Sequence, residues 1–442
     1  ILCDDLGYGD LGCYGHPHIA TPHLDALAKS GMRLSACYSA APVCSPSRVG
    51  LLTGRSPNRA GVYDWIPAAE SGPRPDAREK VHMRDQETTL ADRLKAAGYQ
   101  TAMAGKWHCN SRFNQPAQPQ PGDFGFDHWM ATQNNASPSH RNPRNFVRNG
   151  QELGELEGFS CQLVVDEAIG WLDSVDPKQP FFLFLPFHEP HEPVASPESL
   201  VAQYRDVAVG EDQAQYFANV ANLDDAVGRM IDALDKRNCR ENTLVIFTSD
   251  NGPETLKRYV RANRSYGSPG PLRGMKLHTT DAGFRVPGIV SWPKRIASNQ
   301  QIGVPVSALD WMPTLCRLAG ADPPDRELDG VDITPLLDGE KLSRRKPLVW
   351  AYYNALNQRR VAMRSGHYKV LARIDGMERR QNLTPKGHAK LLQAKLVDFE
   401  IFDVHSDLGE ATNLADSLPQ AAELKQELRR EYEALLNDSP TW

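Results

Sequence analysis

The sequence predicts an α/β protein: a large, mostly parallel central sheet flanked by helices, followed by a smaller C-terminal antiparallel sheet with one helix. Three observations predict it. Apolar strand-like runs alternate with amphipathic helical stretches through about residue 320. The runs FFLFLPF (181–187) and LVIFT (244–248) are short, continuous and apolar, as strands buried on both faces are. Beyond about residue 345 the texture changes: PLVWAYYN, RVAMRSGHYKVLARI and FEIFDV read as an antiparallel meander, and 419–436 reads as one amphipathic helix. The expected division is therefore a large unit over 1–345 and a C-terminal subdomain over 346–442.

Within the large unit, helices are expected at 22–30, 87–97, 160–173 and 213–235. The first has chemically specified ends: Thr21 as cap, Pro22 at the first helical position and Gly31 at the stop. Gly98 ends the second, and the strand that follows, in GYQTAMAGKWH (98–108), should carry Lys106 and His108 at its C-terminal end. Open α/β sheets place ligands there. Residues 109–160, rich in Pro, Asn, Gln and Ser, read as long loops that shape a cleft.

Composition excludes several classes. With 442 residues, 40% hydrophobic and 24% charged, the chain can bury a sizeable core and is neither disordered nor collagenous. A net charge of −5 with interspersed signs argues against a nucleic-acid binder, although a polyanion could still bind locally. No apolar run approaches the roughly 20 residues of a membrane-spanning helix. The eight cysteines (3, 13, 37, 44, 109, 161, 239 and 316) have neither zinc spacing nor disulfide-scaffold density, so most read as core thiols, with a long-range disulfide left open. The chain starts inside a strand pattern, without an initiator Met or secretory leader, so an upstream segment is expected.

Three motifs carry chemistry. In VCSPSRVGLLTGR (43–55), Pro46 suits the first turn of a helix, which puts Cys44 at or just before its N-terminus. Free backbone NH groups there favour an anion and would lower a thiol pKa, and Arg48 projects into the same region. In CDDLGYGD (3–10), a strand ends in adjacent carboxylates Asp4 and Asp5, which repel each other unless a cation lies between them. In LVIFTSDNGP (244–253), a second strand ends in Asp250 and Asn251. Together these are hard oxygen donors, suited to Ca²⁺ or Mg²⁺ and poor for zinc. Each motif alone has a plainer reading as a buried thiol or as turn chemistry. Lys106 and His108, His188 and His191 in FHEPHEP, and Lys276 in LRGMK add bases at comparable junctions, which suits a tetrahedral anion such as sulfate or phosphate. The prolines of HEPHEP extend that loop, so only one of its two histidines need face a site.

With CSPSR at 44–48 and TGR at 53–55, the chain resembles the type I, formylglycine-dependent sulfatases of the alkaline phosphatase superfamily. The likeness runs from CDDLGYGD to IFDVHSDLGEATNLA near 401–415 and is closest in look to bacterial N-acetylgalactosamine-6-sulfatase-like proteins. The resemblance implies an alkaline-phosphatase-like fold and oxidation of Cys44 to Cα-formylglycine by a formylglycine-generating maturation enzyme. It also implies one Ca²⁺ per chain on Asp4, Asp5, Asp250 and Asn251, with an oxygen from modified Cys44. Arg48 and Lys106 match the cations around the nucleophile, His108 the base, Lys276 the lysine that meets substrate sulfate, and His191 the histidine near the bridging oxygen, with His188 as fallback. Asp281 departs from the family, standing where many relatives carry Glu in a TYEGG-like stretch, and its role stays open.

The implied chemistry is attack on sulfur by a gem-diol oxygen in line with the leaving alcohol, protonation of that alcohol by His191 or Lys276, and release of sulfate after His108 removes the remaining hydroxyl proton. The implied substrate is a sulfated carbohydrate, a 6-O-sulfated galactose or N-acetylgalactosamine unit of a glycosaminoglycan or algal polysaccharide. The loop stretch at 131–150 could bind its sugar hydroxyls. The implied location is periplasmic or extracellular. Rival readings are a phosphodiesterase or phosphonate monoester hydrolase on the same scaffold, and a non-catalytic sulfoglycan-binding relative.

Overall fold

The computed structural model describes all residues except 70–76, 258 and 345 and the side chain of residue 261. The expected boundary at residue 345 thus lies outside the described residues. One sheet runs in the order Gln300–Ile302, Met32–Leu34, Gly288–Ser291, Val245–Ser249, Leu2–Asp4, Pro186–Pro190. A second runs Phe181–Phe184, Gln100–Lys106, His128–Thr132, Val147–Arg148, Gln151–Glu152. The two meet along residues 181–190: the chain pairs in parallel with Gln100–Lys106 before Leu185 and with Leu2–Asp4 after it. The pairs at the centre are parallel, and antiparallel pairs flank them. Leu2, Cys3, Ala102, Ala104, Leu185, Phe187 and Phe247 are buried between the covering helices, which is why these strands read as continuous apolar runs.

The helices fall close to their expected places: Pro22–Lys29, Leu90–Ala96, Ser160–Ser174 and Glu211–Lys236. Thr21 stands at the expected cap position, but its hydroxyl accepts from Gly12 N (2.9 Å) and donates to Asp25 (3.0 Å) rather than capping its own helix. The expectation of pure loop over 109–160 fails at His128–Thr132, a strand parallel to Gln100–Lys106 whose apolar run is only WMA. The C-terminal sheet Leu348–Ala351, Val361–Ser365, Tyr368–Ile374, Leu396–Asp403 is antiparallel throughout and is packed by the helix Ala421–Asn437. Its other face joins the large unit through Tyr38, Phe284, Trp350, Leu371 and Phe402, with the rings of Phe284 and Trp350 stacked 4.4 Å apart. All eight cysteines are free, so no disulfide forms.

Two glycines let the strand tips close up. At Gly105 φ is +128° and a Cβ would come 2.0 Å from Pro186 O; at Gly252 a Cβ would come 1.6 Å from Ala282 O. These approaches bring the ends carrying Lys106 and Asp250 against their neighbours.

Candidate active site

The parallel strands deliver their C-terminal ends to one place. Asp4 and Asp5 end the first strand, Lys106 ends the strand Gln100–Lys106, and Asp250 and Asn251 follow Val245–Ser249. Cys44 is the first residue of the helix Cys44–Thr53, after Val43 in extended backbone with no side-chain cap. Almost every residue of that helix is buried, so its start can present Cys44 and Arg48 only inward. Asp5 (φ +66°) and His108 (φ +55°) hold left-handed backbone, uncommon outside glycine and concentrated at functional sites.

The charges interlock. Lys106 Nζ donates to Asp4 Oδ2 at 2.5 Å, and Lys276 Nζ to Asp5 Oδ2 at 2.6 Å, so side-chain cations relieve the repulsion between the adjacent acids. Arg48 donates through Nε to Asp250 Oδ2 (2.9 Å) and through Nη1 to Lys106 O (2.8 Å), and its Nη2 lies 3.7 Å from Asp4 Oδ1. Asn251 Nδ2 donates to Asp5 Oδ1 (2.7 Å), while its amide oxygen is buried without a donor. Cys44 Sγ sits 3.4 Å from Asp4 Oδ1. Ligand atoms of Asp4, Asp5, Cys44 and His191 all lie within 4.8 Å of one another.

Burial pushes Asp4 up, but Lys106, His191, Arg48 and Lys276 hold it well below the usual carboxylate range. Asp250 goes the other way, pushed up to about 6 by burial and by Asp4. Burial alone would lower Lys276, yet Asp5 and its other acidic neighbours raise it. His108 is lowered by burial and then by Lys106 and Arg48, so its imidazole is neutral; Nε2 meets Ile66 O at 3.0 Å and Nδ1 has no partner. The expectation of a lowered thiol pKa at Cys44 fails. Burial raises it well above the usual value and outweighs Lys106 and Lys276.

His191 and His188 face different surroundings. His191 Nε2 lies 3.6 Å from Asp5 Oδ2, and Nδ1 meets Glu192 O at 2.6 Å. His188 turns into the fold, bonded to Thr132 Oγ1 at 2.8 Å and edge-on to Phe146. Glu192 went unassigned in the sequence: its carboxylate accepts from Tyr259 OH and from Ser265 Oγ (3.3 Å) and lies 3.6 Å from His191 Nδ1. Its signal was the repeated HEP, but the first Glu of that repeat, Glu189, takes up the start of the helix Ser160–Ser174 through Ser160 Oγ and Cys161 N (3.0 Å). Asn135, 3.5 Å from Lys106 Nζ, was also missed because its stretch lacks any period. A cavity of about 650 Å³ lies at the opposite, N-terminal ends of the strands, among Ile1, Leu94, Leu185, Val245 and Trp311, and holds none of these residues.

Acids, cations, a neutral imidazole and a sulfur converging at the strand tips of an α/β sheet define a hydrolase of tetrahedral oxyanion esters. Residues 1–321 match the Sulfatase family and residues 276–383 match the C-terminal region of N-sulphoglucosamine sulphohydrolase. The chain belongs to the sulfatase family, the type I sulfatases of the alkaline phosphatase superfamily, and is a sulfuric ester hydrolase. It is 33% identical to human arylsulfatase A over 477 aligned positions, covering 100% of this chain and 89% of that protein. It is 34% identical to N-acetylgalactosamine-6-sulfatase of Canis lupus familiaris, covering 84% of this chain and 70% of the relative. Among solved structures, Ps i-CgsB in complex with k-i-k-neocarrahexaose superposes with a TM-score of 0.80 at 27% identity, covering 99% of this chain and 92% of that one.

Proposed function

We propose that this sulfatase removes a sulfate ester from a carbohydrate, using formylglycine made from Cys44 and one Ca²⁺. The observation that carries the reading is the convergence of Asp4, Asp5, Cys44 and His191 within 4.8 Å, ringed by Arg48, Lys106 and Lys276. The donor set fits the metal: carboxylates of Asp4, Asp5 and Asp250 and the donorless amide oxygen of Asn251 are hard oxygens. Bound there, Ca²⁺ would supply positive charge against the sulfuryl oxygens. Formylglycine would supply a hydrated aldehyde as nucleophile in place of a thiol. Arg48 and Lys106 would hold the Cys44 side chain beside Asp4, Lys276 would bind the sulfate, His191 would protonate the departing alcohol, and His108, neutral and with a free Nδ1, would take a proton from the nucleophile's remaining hydroxyl.

The sugar we propose is a 6-O-sulfated galactose or N-acetylgalactosamine unit, as the name of the N-acetylgalactosamine-6-sulfatase relative suggests. The stretch 131–150 lends less support than its composition promised, because its polar side chains are largely engaged within the fold. His140 meets Asn219 (3.1 Å), Arg144 pairs with Glu155 (2.9 Å), and Arg148 pairs with Glu167 (2.5 Å). Maturation by a formylglycine-generating enzyme and export from the cell belong to the same reading. Among the described residues no helix is long and apolar enough to cross a membrane.

The test is desulfation of a panel of defined sulfated mono- and oligosaccharides by protein made with and without a maturation enzyme, with peptide mass spectrometry over Cys44. Loss of sulfur at Cys44, tracking with activity on 6-O-sulfates, is the expected result. Full activity with an unmodified thiol would overturn the nucleophile, and activity confined to 2-O- or 4-O-sulfates would overturn the sugar position.

A further inference from the structure

Beside the Lys276 segment the charge is uncompensated. Leu356 N donates to Leu277 O at 2.9 Å, so the chain around 352–360 lies against the peptide that follows Lys276. Two guanidiniums are anchored there on backbone carbonyls. Arg360 Nη1 donates to Met377 O (3.0 Å), and Arg379 grips Asn354 O through Nε (3.2 Å) and Nη2 (3.0 Å). Asn354 Nδ2 and Tyr352 OH both donate to buried Asp64, at 2.9 and 2.8 Å. Two residues on, Ile66 N donates to Ser45 Oγ (3.0 Å) and Ile66 O meets His108 (3.0 Å). A continuous path of contacts therefore links the neighbour of Cys44 to Arg379.

Arg359, next in sequence, pairs with Glu400 at 3.2 Å, but among the described residues Arg360 and Arg379 meet only backbone carbonyls. Arg360 Nε is buried without an acceptor, and burial together with Arg379 depresses its pKa. Arg379 is exposed, so this wall is open to solvent. Lys276 and Arg379 both act electrostatically on the Tyr352 hydroxyl. Like charges held together with a donor unused form a site that an oxyanion would complete.

We propose that Arg360 and Arg379 form a subsite for a second oxyanion of the substrate, so that this enzyme takes sulfated glycans bearing another acidic group near the ester it cleaves. The inference rests on the carbohydrate sulfatase reading above. The second group is a carboxylate or a further sulfate.

The test is steady-state kinetics of the matured enzyme on three matched disaccharides sharing one scissile sulfate, whose neighbouring sugar is neutral, carboxylated or sulfated. Wild type should prefer an acidic neighbour, and which one identifies the group. Arg379→Gln and Arg360→Gln should each lower kcat/KM on that substrate about tenfold, through KM, and change the neutral one less than twofold. Equal losses on all three, or a wild-type preference for the neutral disaccharide, would overturn the subsite. If wild type desulfates none of them, the carbohydrate reading fails by itself. Calorimetric binding of the acidic disaccharides then still decides the subsite: binding lost in Arg379→Gln supports it, and binding unchanged overturns it.

Discussion

Buried charge gathers at the strand tips and, differently, where the C-terminal sheet meets the large unit. At the tips, Asp4, Asp5 and Asp250 face Arg48, Lys106 and Lys276. At the junction, Asp281 and Glu410 face Lys369 and Arg285: Lys369 Nζ lies 3.0 Å from Asp281 and 3.6 Å from Glu410, and Arg285 Nη1 lies 3.1 Å from Asp281. Both clusters match acids with bases, yet they are finished differently. Asp281 accepts from Lys369, Arg285 and Tyr38, and Glu410 Oε2 accepts Asp281 N at 3.0 Å, so side chains from distant parts of the chain close on one carboxylate. At the tips the acids converge on one another, Asp250 rides up to about 6 while Asp4 is held down, and Asn251 Oδ1 and His108 Nδ1 go without partners. At the junction Glu410 Oε1 also lacks a hydrogen-bond partner and burial pushes its carboxyl up, but the donors there close on Asp281 alone, and such a cluster acts as a strut. A cluster whose acids converge on one point can exchange its side-chain cations for a metal and a substrate anion.

The sharpest way to break this comparison is Asp250→Ala. It removes an oxygen donor and both Arg48 contacts at 2.8–2.9 Å, so we predict loss of bound metal and a fall in turnover of about a thousandfold or more, with the fold kept. Elemental analysis and circular dichroism check it, and a variant that keeps both metal and rate would sink the assignment. Lys369→Met tests the other side. It leaves Asp281 buried with Arg285 beside it and Glu410 with Arg273 acting on it, and we predict a loss of about 3–5 kcal/mol in denaturant unfolding. A neutral outcome would mean the junction is no strut.

The histidines sharpen the boundary of the tip cluster. His191→Asn should lower kcat about a hundredfold, the size expected for a lost proton donor. His188→Asn should leave kcat within a few-fold and cost about 1 kcal/mol of stability, because its ring bonds Thr132 and packs edge-on to Phe146, away from the tips. Equal kinetic losses would show that both histidines serve the chemistry.

The tip cluster was largely legible in the sequence because each of its parts ends a local pattern: a strand running into DD, a strand running into DN, a helix opening with CSPSR, a strand running into GKWH. The junction was not legible. Lys369 alternates with apolar neighbours as any solvent-facing strand residue would, and its acids lie far off at 281 and 410. The same distance hid the partners of Asp281, which are Tyr38, Arg285 and, from the C-terminal sheet, Lys369. Cys44 misled in one respect, since a helix start argues for a lowered thiol pKa while burial, invisible in one dimension, sets the opposite direction. The pair Arg360 and Arg379 likewise reads as ordinary surface charge until the fold shows that, among the described residues, both meet backbone carbonyls rather than acids.

The smallest effect concerns an ion pair outside both clusters. Glu167 accepts from His128 Nε2 (2.8 Å) and from Arg148 Nε (2.7 Å) and Nη2 (2.5 Å), tying the strands His128–Thr132 and Val147–Arg148 to the helix Ser160–Ser174. Burial pushes its carboxyl up, but His128 and Arg148 hold it down to about 2, below the usual 4.5. A carboxyl depressed on folding stabilises the native state above its unfolded pKa, and that contribution fades as pH falls toward the folded value. Glu167→Gln should therefore be less stable than wild type at pH 6, by less than about 1 kcal/mol because Arg148 is exposed to solvent. The gap should narrow steadily from pH 4.5 toward pH 2, and also with added salt. Urea unfolding of both proteins across that range measures it. A gap constant with pH would show that Glu167 contributes by packing rather than by charge, leaving buried charge as the kind that matters in this fold.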